Sequence, residues 1–251
     1  MVGAMAGVMV VVARDLVLPF SSSPRSPVST SERRSIVHAQ EILDLASQLG
    51  AQSGWPVPGV AQSATVDATT QSSCSEMLYW LGETEFLLSM SAQESTEQTS
   101  RLASATRHFL SAHDVAPKPS PLSQTCAFAA LRLALVGGGQ EHRAAAAALA
   151  ATEEPAPTAD DVGRRELAKA AALSMLGRWR EAAEAAKSAH TAGAESAGPL
   201  RQAIGKVIAG EMTGDEVVGG WNNACELEWS VPNTAVGWLS WYSRLCPLCA
   251  A

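Results

Sequence analysis

Apolar residues recur at three- and four-residue intervals through most of the chain, and segments rich in Pro, Gly and Ser interrupt them at fairly even distances. These breaks lie at 19–30, 50–73, 114–123, 152–160, 193–199 and 230–233. Pro and Gly punctuate helices because one lacks the amide hydrogen and the other escapes the usual backbone limits. Between the breaks the period is helical. Ile36, Ile42, Leu43, Leu45, Ala46 and Leu49 make one stripe and predict a helix near 35–49. Residues 74–113 hold two helices that part at Ser91–Glu94, with Met77, Leu78, Leu81, Phe86, Leu87 and Leu88 on the first and Leu102, Ala105, Phe109 and Leu110 on the second. Further helix pairs are expected at 123–151, broken at Gly137–Gly139, at 160–191, broken at Gly177, and at 199–228, broken near Thr213–Gly214. A last helix, 233–246, follows Pro232, with Asn233 or Thr234 placed to cap it.

The recurring unit is therefore two helices of about fifteen residues and a connector, within the usual helix length. A hairpin this thin buries its apolar face only against a neighbour, which is the logic of stacked helical arrays. The expected fold is all-α: stacked antiparallel hairpins in an α-solenoid of about nine or ten helices. Residues 1–34 read as an apolar N-terminal segment and linker, and 35–251 as the helical-repeat domain. The apolar run Val2–Ala13 is too short to span a bilayer, and Arg14, Asp15 and Pro19 close it. It reads as a first helix packing on the body or as a targeting leader, and no transmembrane span is expected.

Composition sharpens this picture. Aromatic residues are 5% of the chain while alanine is abundant, which favours closely packed helices. The net charge of −7, without a Lys- or Arg-rich tract, argues against direct nucleic-acid binding. Five cysteines at 74, 126, 225, 246 and 249 do not form a disulfide framework. A reducing compartment follows, with cytoplasm or nucleus as the expected location and an organelle lumen the alternative if residues 1–30 are a leader.

One stretch carries more. In LGRWREAAEAAKSA, residues 176–189, a glycine ends one helix, an aromatic follows two residues later, and alanines line the next helix. This resembles the turn and second helix of a tetratricopeptide repeat, with the repeat-defining roles falling on Leu176, Gly177, Trp179, Ala182 and Ala189. Glu166 and Lys169 stand where that family has large apolar residues, and Ala186 where it has a bulky aromatic. A second copy begins at Gly139, thirty-eight residues earlier, with His142 near the position of Trp179. The resemblance covers about a third of the chain and implies a protein-binding array.

Catalytic patterns are missing. GPLRQAIGKV at 198–207 has six residues between its glycines where a phosphate loop has four, and Val207 cannot hold magnesium. His108 and His113 are five apart and face different ways on a helix, and a cationic His113 suits a helix C-terminus. Asp160 and Asp161 suit a helix start. Cys246 and Cys249 form a CxxC too close to Ala251 for a redox domain, and lack the further ligands of a zinc site. No catalytic residue, metal or cofactor is expected. Trp238, Trp241, Tyr242 and Leu245 share one face of the final helix and read as a cap on the core, a partner-docking face or, with Arg244 its only basic residue, a membrane-surface helix. The expected function is a non-enzymatic scaffold or adaptor binding one or more proteins. The alternatives are a structural subunit of a large assembly, organellar if residues 1–30 are a leader, and an enzyme whose site is assembled from distant residues.

Overall fold

A computed structural model describes residues 2–21, 29–56, 66–118, 159–194 and 197–217, with scattered positions between 120 and 148. Every regular element among the described residues is a helix: α1 (Val2–Ser21), α2 (Thr30–Gln52), α3 (Ala68–Met90), α4 (Ser95–Val115), α5 (Ala159–Met175), α6 (Trp179–Thr191) and α7 (Ala197–Ile208). The breaks expected at Ser91–Glu94 and Gly177 fall where the pattern placed them.

Other ends move for local reasons. The helix expected near 35 begins at Thr30, because Ser29 and Glu32 close a capping box: the Glu32 amide donates to Ser29 Oγ (3.3 Å) and the Ser29 amide donates to Glu32 Oε2 (2.6 Å). The next begins at Ala68 rather than 74, where Asp67 Oδ1 accepts from the Thr70 amide at 3.0 Å. Pro19 does not stop α1, which runs two residues beyond it to Ser21; without an amide hydrogen it forgoes the backbone bond to the Asp15 carbonyl. α7 starts at Ala197 and ends at Ile208, so the break expected at Thr213–Gly214 spans 209–213 and Gly214 opens a further helical turn.

Two hydrophobic clusters organise these helices. In the first, α3 is central and packs against α1, α2 and α4. Nearly all its residues from Cys74 to Ser89 are buried, so it carries apolar side chains all round rather than one stripe. Its buried hydroxyls are satisfied: Ser75 donates to the Ala112 carbonyl (2.7 Å), Thr84 to Leu81 (2.8 Å) and Ser89 to Phe86 (2.6 Å). Glu85 ties the three helices at the rim, accepting from Gln40 Nε2 of α2 (2.7 Å) and from Arg101 of α4 (3.0 Å). Tyr79 stacks edge-on to Trp80 and leans on Phe109 of α4, with ring centroids 5.2 and 5.4 Å apart.

The second cluster joins α5, α6 and α7 through small side chains: Ala170, Ala182, Ala186, Ala189 and Ala197 are fully buried, with Leu200 and Ile204 closing the gaps. Helix α5 ends in a left-handed residue, Gly177 (φ 72°), where only glycine avoids a Cβ clash. The Arg178 amide then reaches back to the Leu173 carbonyl (2.9 Å) and the Gly177 amide to Ser174 (3.0 Å), the Schellman arrangement. Gly54, Gly193 and Gly210 end α2, α6 and α7 in the same way. The expected repeat residues Leu176 and Trp179 pack at the edge of this cluster, while Ala182 and Ala189 lie inside it. The Trp179 ring lies over Gly214, whose added Cβ would come within 2.5 Å of it. Trp179→Ala is therefore expected to remove about 2 kcal/mol, less than for a fully buried ring, measured by thermal unfolding.

Candidate interaction surface

The antiparallel pair α5–α6 leaves a groove of about 530 Å³ open to solvent. Its floor is Leu173 and Ala185, both almost fully buried. Its walls carry Glu166 and Lys169 from α5, Arg178 from the turn, and Arg180, Glu181, Glu184 and Ser188 from α6. Two of these residues, Glu166 and Lys169, are among those that depart from the tetratricopeptide pattern. Polar side chains at those positions keep the groove from closing into core.

Arg178 is held across the turn by Glu181: its Nε donates to Oε1 at 2.7 Å, and its Nη2 pairs with Oε2. The arginine holds the Glu181 carboxyl below the usual range, and the carboxylate holds the guanidinium above its own. Both groups are exposed, so the pair fixes orientation more than it adds stability. The lining thus carries three acids, Glu166, Glu181 and Glu184, and three bases, Lys169, Arg178 and Arg180. Such a surface matches a partner of mixed charge and does not favour a polyanion.

Elsewhere the chemistry is structural. Burial pushes the Cys74 thiol up to about 11 and the Cys126 thiol up to about 12, so both remain protonated at neutral pH. The cationic His113 expected at a helix C-terminus is corrected. Its ring is buried, and desolvation holds its pKa below 6.5 despite the bond between Nδ1 and the Ser123 carbonyl (2.9 Å). A carbonyl only accepts, so Nδ1 carries the proton of a neutral ring. Desolvation lowers the pKa of His108 as well. The unfolded chain protonates these rings near 6.5, the folded chain only at lower pH, so acidification through 6.5 favours unfolding. The urea midpoint is expected to fall between pH 7 and pH 5.5, and the fall to shrink in His108→Gln.

The segment 198–207, too widely spaced for a phosphate loop, is part of α7. Asp160 and Asp161 lie in the first turn of α5. No group of three or more His, Cys, Asp or Glu suited to a metal occurs among the described residues. Trp238, Trp241, Tyr242, Leu245, the CxxC at Cys246 and Cys249, the glycines 137–139 and most of the earlier repeat copy lie outside the described residues. Sequence reasoning missed the groove itself, because Glu166 and Lys169 read only as departures from the repeat pattern and nothing links them to Glu184 on the next helix. It missed the Glu85–Arg101 tie because nothing in the pattern links residues on different helices. One feature is larger than expected: α1 contains an eighteen-residue stretch, Val2–Pro19, long and apolar enough to cross a membrane by length and composition. No protein-family model matches the chain, and no curated protein and no solved structure matches it significantly.

Proposed function

We propose that this chain is a non-enzymatic protein-binding scaffold or adaptor, with α5–α7 as part of a tetratricopeptide-like stack of helical hairpins. The observation that carries the reading is the α5–α6 groove, apolar at its floor and charged along both walls, on helices locked together by alanine packing. Left-handed glycines at 177, 193 and 210 end three successive helices at intervals of sixteen and seventeen residues, which supports a regular array. Rigid helices present such a groove without an ordering cost at binding. The partner segment is a helix or extended strand bearing both charge signs and one apolar anchor over Leu173 and Ala185.

The test is capture of partners by the full chain, followed by the double reversal Arg180→Glu, Glu184→Lys. A stoichiometric protein lost on reversal supports the groove as the docking site. Binding that survives reversal and is lost in Trp238→Ala, Trp241→Ala moves docking to the C-terminal segment. A chain that retains no protein at all overturns the scaffold reading.

A further inference from the structure

The geometry points to α1 as an in-plane membrane anchor, its outer face set in the hydrocarbon of a lipid bilayer with the rest of the chain at the surface. Six of the large hydrophobic side chains left exposed among the described residues lie on this one helix: Val2, Met5, Val8, Val11, Val12 and Leu18. Met5 and Val8 are 61% and 63% exposed, well beyond the scattered exposure of ordinary surfaces. Apart from Val2, they fall within roughly 140° of arc at 100° per residue, a single broad stripe. From Val2 to Ala13 no side chain can make a hydrogen bond or carry a charge.

The opposite face is committed to protein. Ala6, Val10, Ala13 and Val17 are at most 2% exposed and pack against α2 and α3. Up to Val12 the outward face thus carries only aliphatic and thioether side chains, while Ala6, Val10, Ala13 and Val17 hold the helix to its neighbours. A second copy of the chain or another protein fits less well. Protein interfaces favour aromatic and Arg side chains and make about one hydrogen bond per 100–200 Å². Up to Val12 this face has no aromatic ring, no arginine and no hydrogen-bond donor, with Met5 its one residue of an interface-favoured type, and lipid tails ask for none.

The docked face also fixes the orientation. α2 shows Arg34, His38, Glu41 and Gln48 to solvent, so α1 cannot span while it remains attached. It lies in the plane instead. Asp15 shares the exposed arc and pairs with Arg14 at 3.0 Å, and Arg14 also reaches Glu76 of α3 at 3.8 Å. That polar group marks the headgroup level, and the three turns before it dip below.

Flotation with vesicles of phosphatidylcholine alone tests this, since neutral lipid removes any electrostatic attraction. The full chain is expected to float. Val8→Glu and Val12→Glu should each lower the bound fraction about tenfold or more with the helical circular dichroism unchanged, because a charge on a lipid-facing helix position is costly. Val37→Glu, on the solvent face of α2, should float like the parent chain. Failure of the parent chain to float overturns the proposal, as does flotation of Val8→Glu at the parent level. A dimer split by Val8→Glu, without flotation, assigns the face to a second copy and overturns it equally.

Discussion

Phe109→Ala is expected to remove about 3–5 kcal/mol from the α1–α4 core, the largest single loss in that half of the chain. The ring is fully buried on α4 and fills the contact with α3. Gly82 of α3 is what admits it: a Cβ there would stand 2.7 Å from Phe109 Cε1, closer than packed carbons approach. Gly82→Ala should accordingly destabilise a chain with Phe109 and cost much less in the Phe109→Ala background. Chemical denaturation of the single and double variants gives the coupling directly. Hydrogen exchange should show the loss of protection in α1–α4, with α5–α7 little affected, because the two halves bury separate clusters. Equal loss across both halves would show one cooperative core.

Ala186→Phe carries the next largest expectation, a loss on the order of 3 kcal/mol by overpacking. The family that residues 176–189 resemble places a bulky aromatic at this point, so its tolerance measures how far the likeness extends. Here Ala186 is fully buried among Ala182, Ala189 and the α7 side chains Leu200 and Ile204, and the helices approach closely because nothing larger separates them. A thermal unfolding temperature unchanged by Ala186→Phe would mean a roomier interface, closer to the family pattern than the alanine paving indicates.

Much of the fold was legible as periodicity. The α3–α4 and α5–α6 pairs stood out because Ser91–Glu94 and Gly177 break strong helical patterns, and glycine at Gly177 supplies the left-handed turn. The starts of α2 and α3 were less visible, although Ser29 and Glu32 form a local capping signature, because polar residues on either side hid the first turns. α1 was read as closing at Arg14, Asp15 and Pro19. Yet Arg14 and Asp15 neutralise one another, and α1 runs two residues past Pro19 at the loss of one backbone bond. Burial of His113 depends on Ser123 folding back over α4, a tertiary event that its five-residue spacing from His108 did not reveal. The groove is of the same kind: it exists only where two helices meet, so its charged residues had no meaning one at a time. The aromatic face proposed at 233–246 lies outside the described residues and remains a sequence expectation.

The measurement nearest the central claim is the affinity of the captured partner for the full chain, titrated against Arg180→Glu, Glu184→Lys with Trp238→Ala, Trp241→Ala alongside. The scaffold account expects one-to-one binding, weakened at least about tenfold by the groove reversal, as for loss of a well-placed interfacial charge pair. Undiminished binding in both variants would contradict it.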